Sequence, residues 1–172
     1  MTTTVYYDEF ASPLGPMLLA TNGSALTGAW FVGQRYFPSI DAGWHPRRDL
    51  PLLLHAATEL VEYFRGDRRE FSVALSPRGT PFQRAVWAAI ATVAYGATIS
   101  YRELATRAGR PEAIRAAGAA TGRNPLSIIV PCHRIVGANG TLTGYAGGLP
   151  RKRALLEIEC AGTRVAGMRR AA

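Results

Sequence analysis

At Ser76-Pro77-Arg78-Gly79 the hydrophobic pattern of the chain changes period, and this break constrains the fold more than any other feature. Upstream, apolar residues alternate in short runs bounded by turn residues, with one helical stretch among them. Downstream, most segments carry helical spacing and helix-start signals. With 172 residues the chain is long enough for two small cores of these different kinds. The expected fold is α/β (α+β) with two domains. A small sheet-plus-helix domain occupies 1–78, and a mainly helical domain occupies 79–172.

In the first part, Val5 and Tyr7 mark an extended stretch, and Ser12-Pro13-Leu14-Gly15-Pro16 marks a turn. Met17–Thr21 and Ala25–Val32 are two strand-like runs around Asn22-Gly23, a strong hairpin signal. Residues 33–49 lack periodicity and contain Pro38, Gly43 and Pro46, which predicts a loop. Leu53, Ala57, Leu60, Val61 and Phe64 recur at helical spacing and predict a helix over Pro51–Arg65, stopped by Gly66. Phe71, Val73 and Leu75 alternate with Ser72 and Ala74 and predict a strand.

In the second part, Thr80-Pro81-Phe82-Gln83 is a capping box with proline at the first helical position, opening a helix to about Val93. Ser100-Tyr101-Arg102-Glu103 predicts a second capping box and a helix ending near Gly109. Pro111 is expected to open a third helix over Glu112–Thr121, so the pair forms a helix-turn-helix. This third helix is mostly Ala and Gly, which lets its backbone lie close to another surface, either a neighbouring helix or a nucleic-acid groove. Leu126–Val130 reads as a buried strand, and Pro150–Glu159 as a final helix with Leu155 and Ile158 inward.

Charge separates the halves further. Residues 1–79 sum to −1 and residues 80–172 to +9, and nineteen of the twenty basic residues are Arg. Arg pairs with phosphate through two parallel hydrogen bonds, which Lys cannot do. A polyanion such as nucleic acid is the matching partner; the base composition of the gene is the competing explanation. With 48% hydrophobic and 19% charged residues the chain is not mainly disordered, collagenous or coiled coil. No apolar run is long enough to span a membrane, so no membrane partner is expected. The start, MTTTVYYDEF, lacks the charged and apolar regions of a signal peptide. Two cysteines without an export signal predict reduced thiols in the cytoplasm.

The chemistry concentrates at Pro131-Cys132-His133-Arg134. A Cys after proline, in the first turn of a helix, is favoured as thiolate by the helix dipole. His133 is placed to take its proton, through a water because adjacent side chains seldom face each other, and Arg134 adds positive potential. An inert buried Cys is the competing reading. Cys160 reads as packing, and His45 and His55 as loop and helix-surface residues. None of these has zinc-ligand spacing, so no metal is expected. No phosphate loop and no G-x-G-x-x-G motif is present, so no cofactor is expected. The segment GANGTLTGYAGG reads either as a mobile loop or as a pocket wall offering N–H groups and Tyr145. Arg151, Lys152 and Arg153 stand in the first turn of the last helix, where the dipole disfavours them, which points to an external anion, with a solvated face as the competing reading.

Together GTPFQRAVW, YGATISYRELA, AIRAAGAATGRNP, IIVPCHRIVG and TGYAGGLPRKRALLEIE resemble the O6-alkylguanine-DNA alkyltransferases (methylated-DNA–protein-cysteine methyltransferases) over about residues 79–160. The first 78 residues resemble that family less, mainly through SPLGPMLLAT. The resemblance implies a ribonuclease-H-like first domain and a winged helix-turn-helix-like second domain carrying the active site. It implies DNA repair by direct reversal, with the alkyl group of O6-alkylguanine, and of O4-alkylthymine, moved once and irreversibly to Cys132. His133 would be the base, Glu159 would orient His133, Tyr101 would assist the leaving base, and Asn124 would tie the helix-turn-helix to the active-site strand. Tyr101, Tyr145, Ala146 and Gly147 would line the pocket for the flipped base. The partner implied is double-stranded DNA with alkylated bases, bound through its minor groove by a monomer. There Arg115 would fill the gap left by the base, Ala116, Ala117 and Gly118 would keep the helix slim, and Arg102 and Arg110 would meet phosphates. Ala146 stands where some members carry Ser. A non-catalytic lesion-binding relative and a helix-turn-helix regulator are the alternatives. The first lacks the acceptor Cys, and the second does not account for PCHR with Tyr101 and Glu159.

Overall fold

The computed structural model describes residues 4–170, with side chains through Thr163. The chain divides into two compact units. The first comprises the described residues through Arg78 together with Pro125–Ser127, and the second comprises Gly79–Asn124 and the described residues from Ile128 onward. No helix among the described residues is long and apolar enough to cross a membrane.

The first unit is a four-stranded sheet with one helix. Strands β1 (Val5–Ser12), β2 (Gly15–Thr21), β3 (Leu26–Phe31) and β4 (Trp44–Pro46) run in the order β3-β2-β1-β4. The first three are antiparallel neighbours, and β4 lies parallel to β1. The β2–β3 hairpin turns through Asn22–Ala25. Asn22 Oδ1 accepts the N–H groups of Ser24 and Ala25, and Gly23 takes a φ of 97° that other residues rarely adopt. The segment 33–49, expected as a loop throughout, therefore contains β4, which carries His45. Three residues are too short to show a period, so the pattern gave no strand signal.

Helix α1 (Pro51–Phe64) buries Leu53, Ala56, Leu60 and Tyr63, and it packs on β1, β2 and β3. Burial of each of the two leucines stabilises the unit by roughly 1.5–3 kcal/mol relative to exposure, and of the smaller Ala56 by less. The face is rotated from the expected one, since Ala57, Val61 and Phe64 are only half-buried. The strand expected over Phe71, Val73 and Leu75 shrinks to a single parallel bridge of Leu75 on Leu26 of β3, with Leu26 N–H donating to Ala74 O and Ser76 N–H to Leu26 O. Before that bridge, the N–H groups of Ser72 and Val73 donate to the buried carboxylate of Glu59 on α1, at 2.9 and 3.1 Å. A side chain thus takes the bonds of these two residues and cuts the strand short. Within the same unit, Leu126 bridges Ala29, with Ala29 N–H donating to Pro125 O and Ser127 N–H to Ala29 O.

The second unit holds α2 (Pro81–Ala91), β5 (Ile99–Ser100), α3 (Tyr101–Arg107), α4 (Ile114–Gly122), β6 (Ile135–Val136) and α5 (Leu149–Arg170). The Thr80–Gln83 capping box closes in both directions. The second box is half made. Ser100 accepts from the Glu103 N–H, but the Glu103 side chain pairs with Arg107 at 2.6 Å. The third helix begins at Ile114, not at Pro111, because Ala113 N–H closes a turn onto Arg110 O first. Trp87 Nε1–H donates to Ala120 O and fixes α4 against α2. The expected strand over Leu126–Val130 is absent. The run is buried, but Ile128 sits at a φ of 72°, a left-handed turn conformation that a β-branched residue adopts only under tertiary constraint. Continuous apolar residues signalled burial and could not distinguish strand from turn.

Candidate active site

Two residues of parallel sheet assemble the site. Ile99 pairs with Ile135 and Ser100 with Val136. This register sets Tyr101, the first residue of α3, beside the segment that ends in Cys132-His133-Arg134. That segment is a single 3₁₀ turn, too short to carry much dipole. Cys132 is 4% exposed. Burial pushes its thiol above the ordinary range, against the expectation of a dipole-stabilised thiolate. Neighbouring groups oppose that shift, the Cys132 and His133 backbone N–H groups among them. Asn124 Nδ2–H donates to the sulfur at 3.2 Å and to Val130 O at 2.8 Å, and the Lys152 ammonium favours the anion through space.

Behind the thiol lies a buried charge network. His133 Nε2 and Glu159 Oε1 are 2.7 Å apart, with both side chains inaccessible to solvent. Arg134 Nε donates to Glu159 Oε2 at 3.0 Å and its second terminal nitrogen to Oε1 at 3.0 Å, while the first donates to Val93 O. Gly96 N–H adds a further bond to Glu159 Oε2 at 3.1 Å, from a φ of 76°. Although burial disfavours the charged form, these donors hold the Glu159 carboxyl down at about 2. Burial pushes the His133 imidazole down, with Arg134 and Lys152 adding to the shift. The resting arrangement is therefore an ionised Glu159 paired with Arg134, beside a neutral His133. An ionised carboxylate only accepts, so His133 carries its proton on Nε2 and presents Nδ1 as the basic nitrogen.

The loop 141–148 is held from α5. Lys152 is fully buried, and its Nζ donates to Ile135 O, Thr143 O and Gly144 O at 2.5, 2.8 and 3.3 Å. Burial lowers its ammonium to about 8. Arg151 donates to Gly147 O at 3.0 Å, and Tyr145–Gly148 closes as a turn. The expectation that Arg151 and Lys152 await an external anion is thus corrected. Their donors satisfy loop carbonyls, and only Arg153 of the three is exposed. Tyr101 donates its hydroxyl to Thr143 O at 3.2 Å, and burial raises its phenol. Tyr145 and Ala146 are half-buried and Gly147 is buried.

The structure brings Cys132, His133, Glu159, Asn124 and Tyr101 into one neighbourhood. It places the remaining candidates on helix surfaces. Arg102, Arg115 and Ala116 are exposed, and Arg110 is exposed 3.9 Å from Glu112. Ala117 faces the core, and Gly118 is half-buried against the Tyr101 ring. Cys160, expected as packing, is exposed. Sequence reasoning missed Lys152 as a site residue and Arg134 as the partner of Glu159. The signal available was position, since helical spacing puts Lys152, Leu155 and Glu159 on one face of α5. Among the described residues no group of three or more His, Cys, Asp or Glu is gathered as a metal centre requires.

The family model described as the DNA binding domain of 6-O-methylguanine DNA methyltransferase matches residues 81–161, and that of its ribonuclease-like domain matches residues 5–77. The chain is 50% identical over 155 residues to the methylated-DNA–protein-cysteine methyltransferase of Mycobacterium tuberculosis, spanning 90% of this chain and 92% of the relative. It is 42% identical over 158 residues to the protein of the same name from Haemophilus influenzae, spanning 91% and 87%. The fold is similar to the crystal structure of Mycobacterium tuberculosis OGT in complex with DNA. There the TM-score is 0.85 and the identity 46%, with 91% of this chain and 94% of that chain covered.

Proposed function

The chain belongs to the 6-O-methylguanine DNA methyltransferase family, and we propose that it repairs DNA by moving the alkyl group of an O6-alkylated guanine onto its own Cys132. The observation that carries this reading is the buried Cys132 thiol, hydrogen-bonded by Asn124 and followed in sequence by the His133–Glu159–Arg134 network. A structural cysteine has no use for a neutral imidazole whose tautomer is fixed by a buried carboxylate.

The reaction is a displacement at the alkyl carbon. The Cys132 proton passes through a water to His133 Nδ1, and the imidazolium that forms is stabilised by Glu159. The sulfur forms a bond to the alkyl carbon as the carbon–O6 bond breaks, and the electron pair leaves on guanine. Tyr101, whose phenol keeps its proton, turns its hydroxyl from Thr143 O to the departing base and disperses that charge. Lys152 lowers the cost of the thiolate and fixes the loop bearing Tyr145, Ala146 and Gly147, which encloses the base. The product is a thioether, which no group here reverses, so each molecule acts once. The same geometry accepts O4-alkylthymine.

DNA is the partner. A base inside a duplex cannot reach Cys132, so it must be rotated out of the stack. The exposed, small-residue face of α4 enters the minor groove with Arg115 in the vacated space, while Arg102 and Arg110 meet the backbone. The test is mass spectrometry of the peptide Asn124–Arg134 after mixing the protein with a duplex carrying one O6-methylguanine. One methyl on Cys132 per molecule is expected. Selective binding of the lesion duplex without an adduct would replace this reading with that of a lesion-binding module.

A further inference from the structure

We propose that the first unit carries a second binding site, a cavity suited to a planar base bearing a phosphate, the chemistry of a mononucleotide. The cavity measures about 480 Å³, within the range of small-molecule sites. Every residue lining it belongs to the first unit, and none is among the residues around Cys132.

Two indoles form its walls. Trp30 and Trp44 lie with ring centroids 6.2 Å apart and planes tilted by 46°. Trp30 is held by Leu18 and Ala20 in a buried cluster, and Trp44 packs against that cluster from β4. Gly28 belongs to the same construction, since a Cβ there would overlap the Trp30 ring. Glycine lets that ring lie flat along β3. Trp44, half-buried, offers its ring face to a planar π system, and Trp30, 9% exposed, backs it from the core.

Charge narrows the ligand further. Arg78 lines the cavity and makes no hydrogen bond or ion pair among the described residues. An uncommitted guanidinium beside aromatic walls is a phosphate ligand. Asp41 accepts the Gly43 N–H at 2.8 Å with one oxygen, and its other oxygen can accept from the ring or amino N–H groups of a base edge. An alkylammonium ion would suit the tryptophans and Asp41 but meets repulsion from Arg78. An apolar tail leaves both charges unanswered. A nucleotide with donor groups on its base, guanine above all, answers every one of these features. Its source is either a free nucleotide or an unpaired nucleotide in a DNA strand.

The experiment follows the indole N–H resonances of the full chain while guanosine 5′-monophosphate, guanosine, tetramethylammonium or a short unmodified single-stranded oligonucleotide is added. Trp30 and Trp44 are expected to shift saturably with the monophosphate, while Trp87, whose N–H is committed to Ala120, stays still. Guanosine is expected to bind at least tenfold more weakly. Arg78→Ala is expected to reduce the monophosphate to the level of guanosine with unchanged thermal unfolding. Saturation by the oligonucleotide at lower nucleotide concentration identifies the strand as the source, and saturation by the monophosphate alone identifies the free nucleotide. No saturable shift at Trp30 and Trp44, equal affinity for guanosine and its monophosphate, insensitivity to Arg78→Ala, or a response to tetramethylammonium instead would each overturn the proposal. Methyl transfer to Cys132 is measured separately, so the two readings fail independently.

Discussion

At Glu159 four donors meet on one inaccessible carboxylate: His133 Nε2, two nitrogens of Arg134 and the Gly96 N–H. Glu159→Gln keeps the volume but leaves Arg134 as an uncompensated buried cation. Urea denaturation is expected to show a loss of about 3–5 kcal/mol, the usual cost of breaking a buried pair from one side. Single-turnover methyl transfer should slow as well, because a neutral amide no longer stabilises the imidazolium. The carboxyl titrates at about 2 in the fold against an ordinary 4.5. Its contribution to stability is therefore complete above about pH 4.5 and is lost as pH falls toward 2. Urea midpoints at successive acid pH values should fall across that window in the native protein and much less in the Gln variant. Lys152 has the other decisive charge. Lys152→Met should raise the thiol titration further and slow transfer from free O6-benzylguanine, read as a shifted pH–rate profile; an unshifted profile would remove Lys152 from the chemistry.

Elements differ in how far the sequence alone reveals them. The helices announce themselves because their signals are local: a Thr80–Gln83 box, a proline at the first position, a glycine stop. The hairpin at Asn22-Gly23 and the tetrapeptide at Cys132 are local too. What escaped depends on partners distant in sequence. The stretch Phe71–Leu75 alternates like a strand, yet the N–H groups of Ser72 and Val73 go to Glu59, thirteen and fourteen residues away, and only Leu75 bridges β3. Lys152 looked like a surface cation because helix-dipole reasoning sees only the helix, and its acceptors lie at Ile135, Thr143 and Gly144. Replacing Glu59 by Ala removes acceptors from Ser72, Val73 and Arg68 together, so a loss of about 2–4 kcal/mol is expected by chemical denaturation. At α4, Arg115→Ala is expected to slow repair of a lesion in duplex by far more than reaction with the free modified base. Equal slowing of both would deny α4 a part in extruding the base.

The whole molecule is electrically lopsided, with +9 over residues 80–172 against −1 over 1–79. Affinity for undamaged duplex should fall steeply and log-linearly with salt, because phosphate contacts release counterions. A flat response in fluorescence anisotropy would mean the excess Arg serves something else. The two thiols divide just as unevenly, one at 4% exposure with a raised titration and one open to solvent. Iodoacetamide should therefore label Cys160 well before Cys132 in the folded protein. For a protein whose reactive group works a single time, that concealment sets the shelf life of the stock. Stray oxidants and electrophiles that the pocket does not hold find little to react with at the acceptor, so the ready fraction declines with the number of alkylated bases met rather than with the age of the molecule.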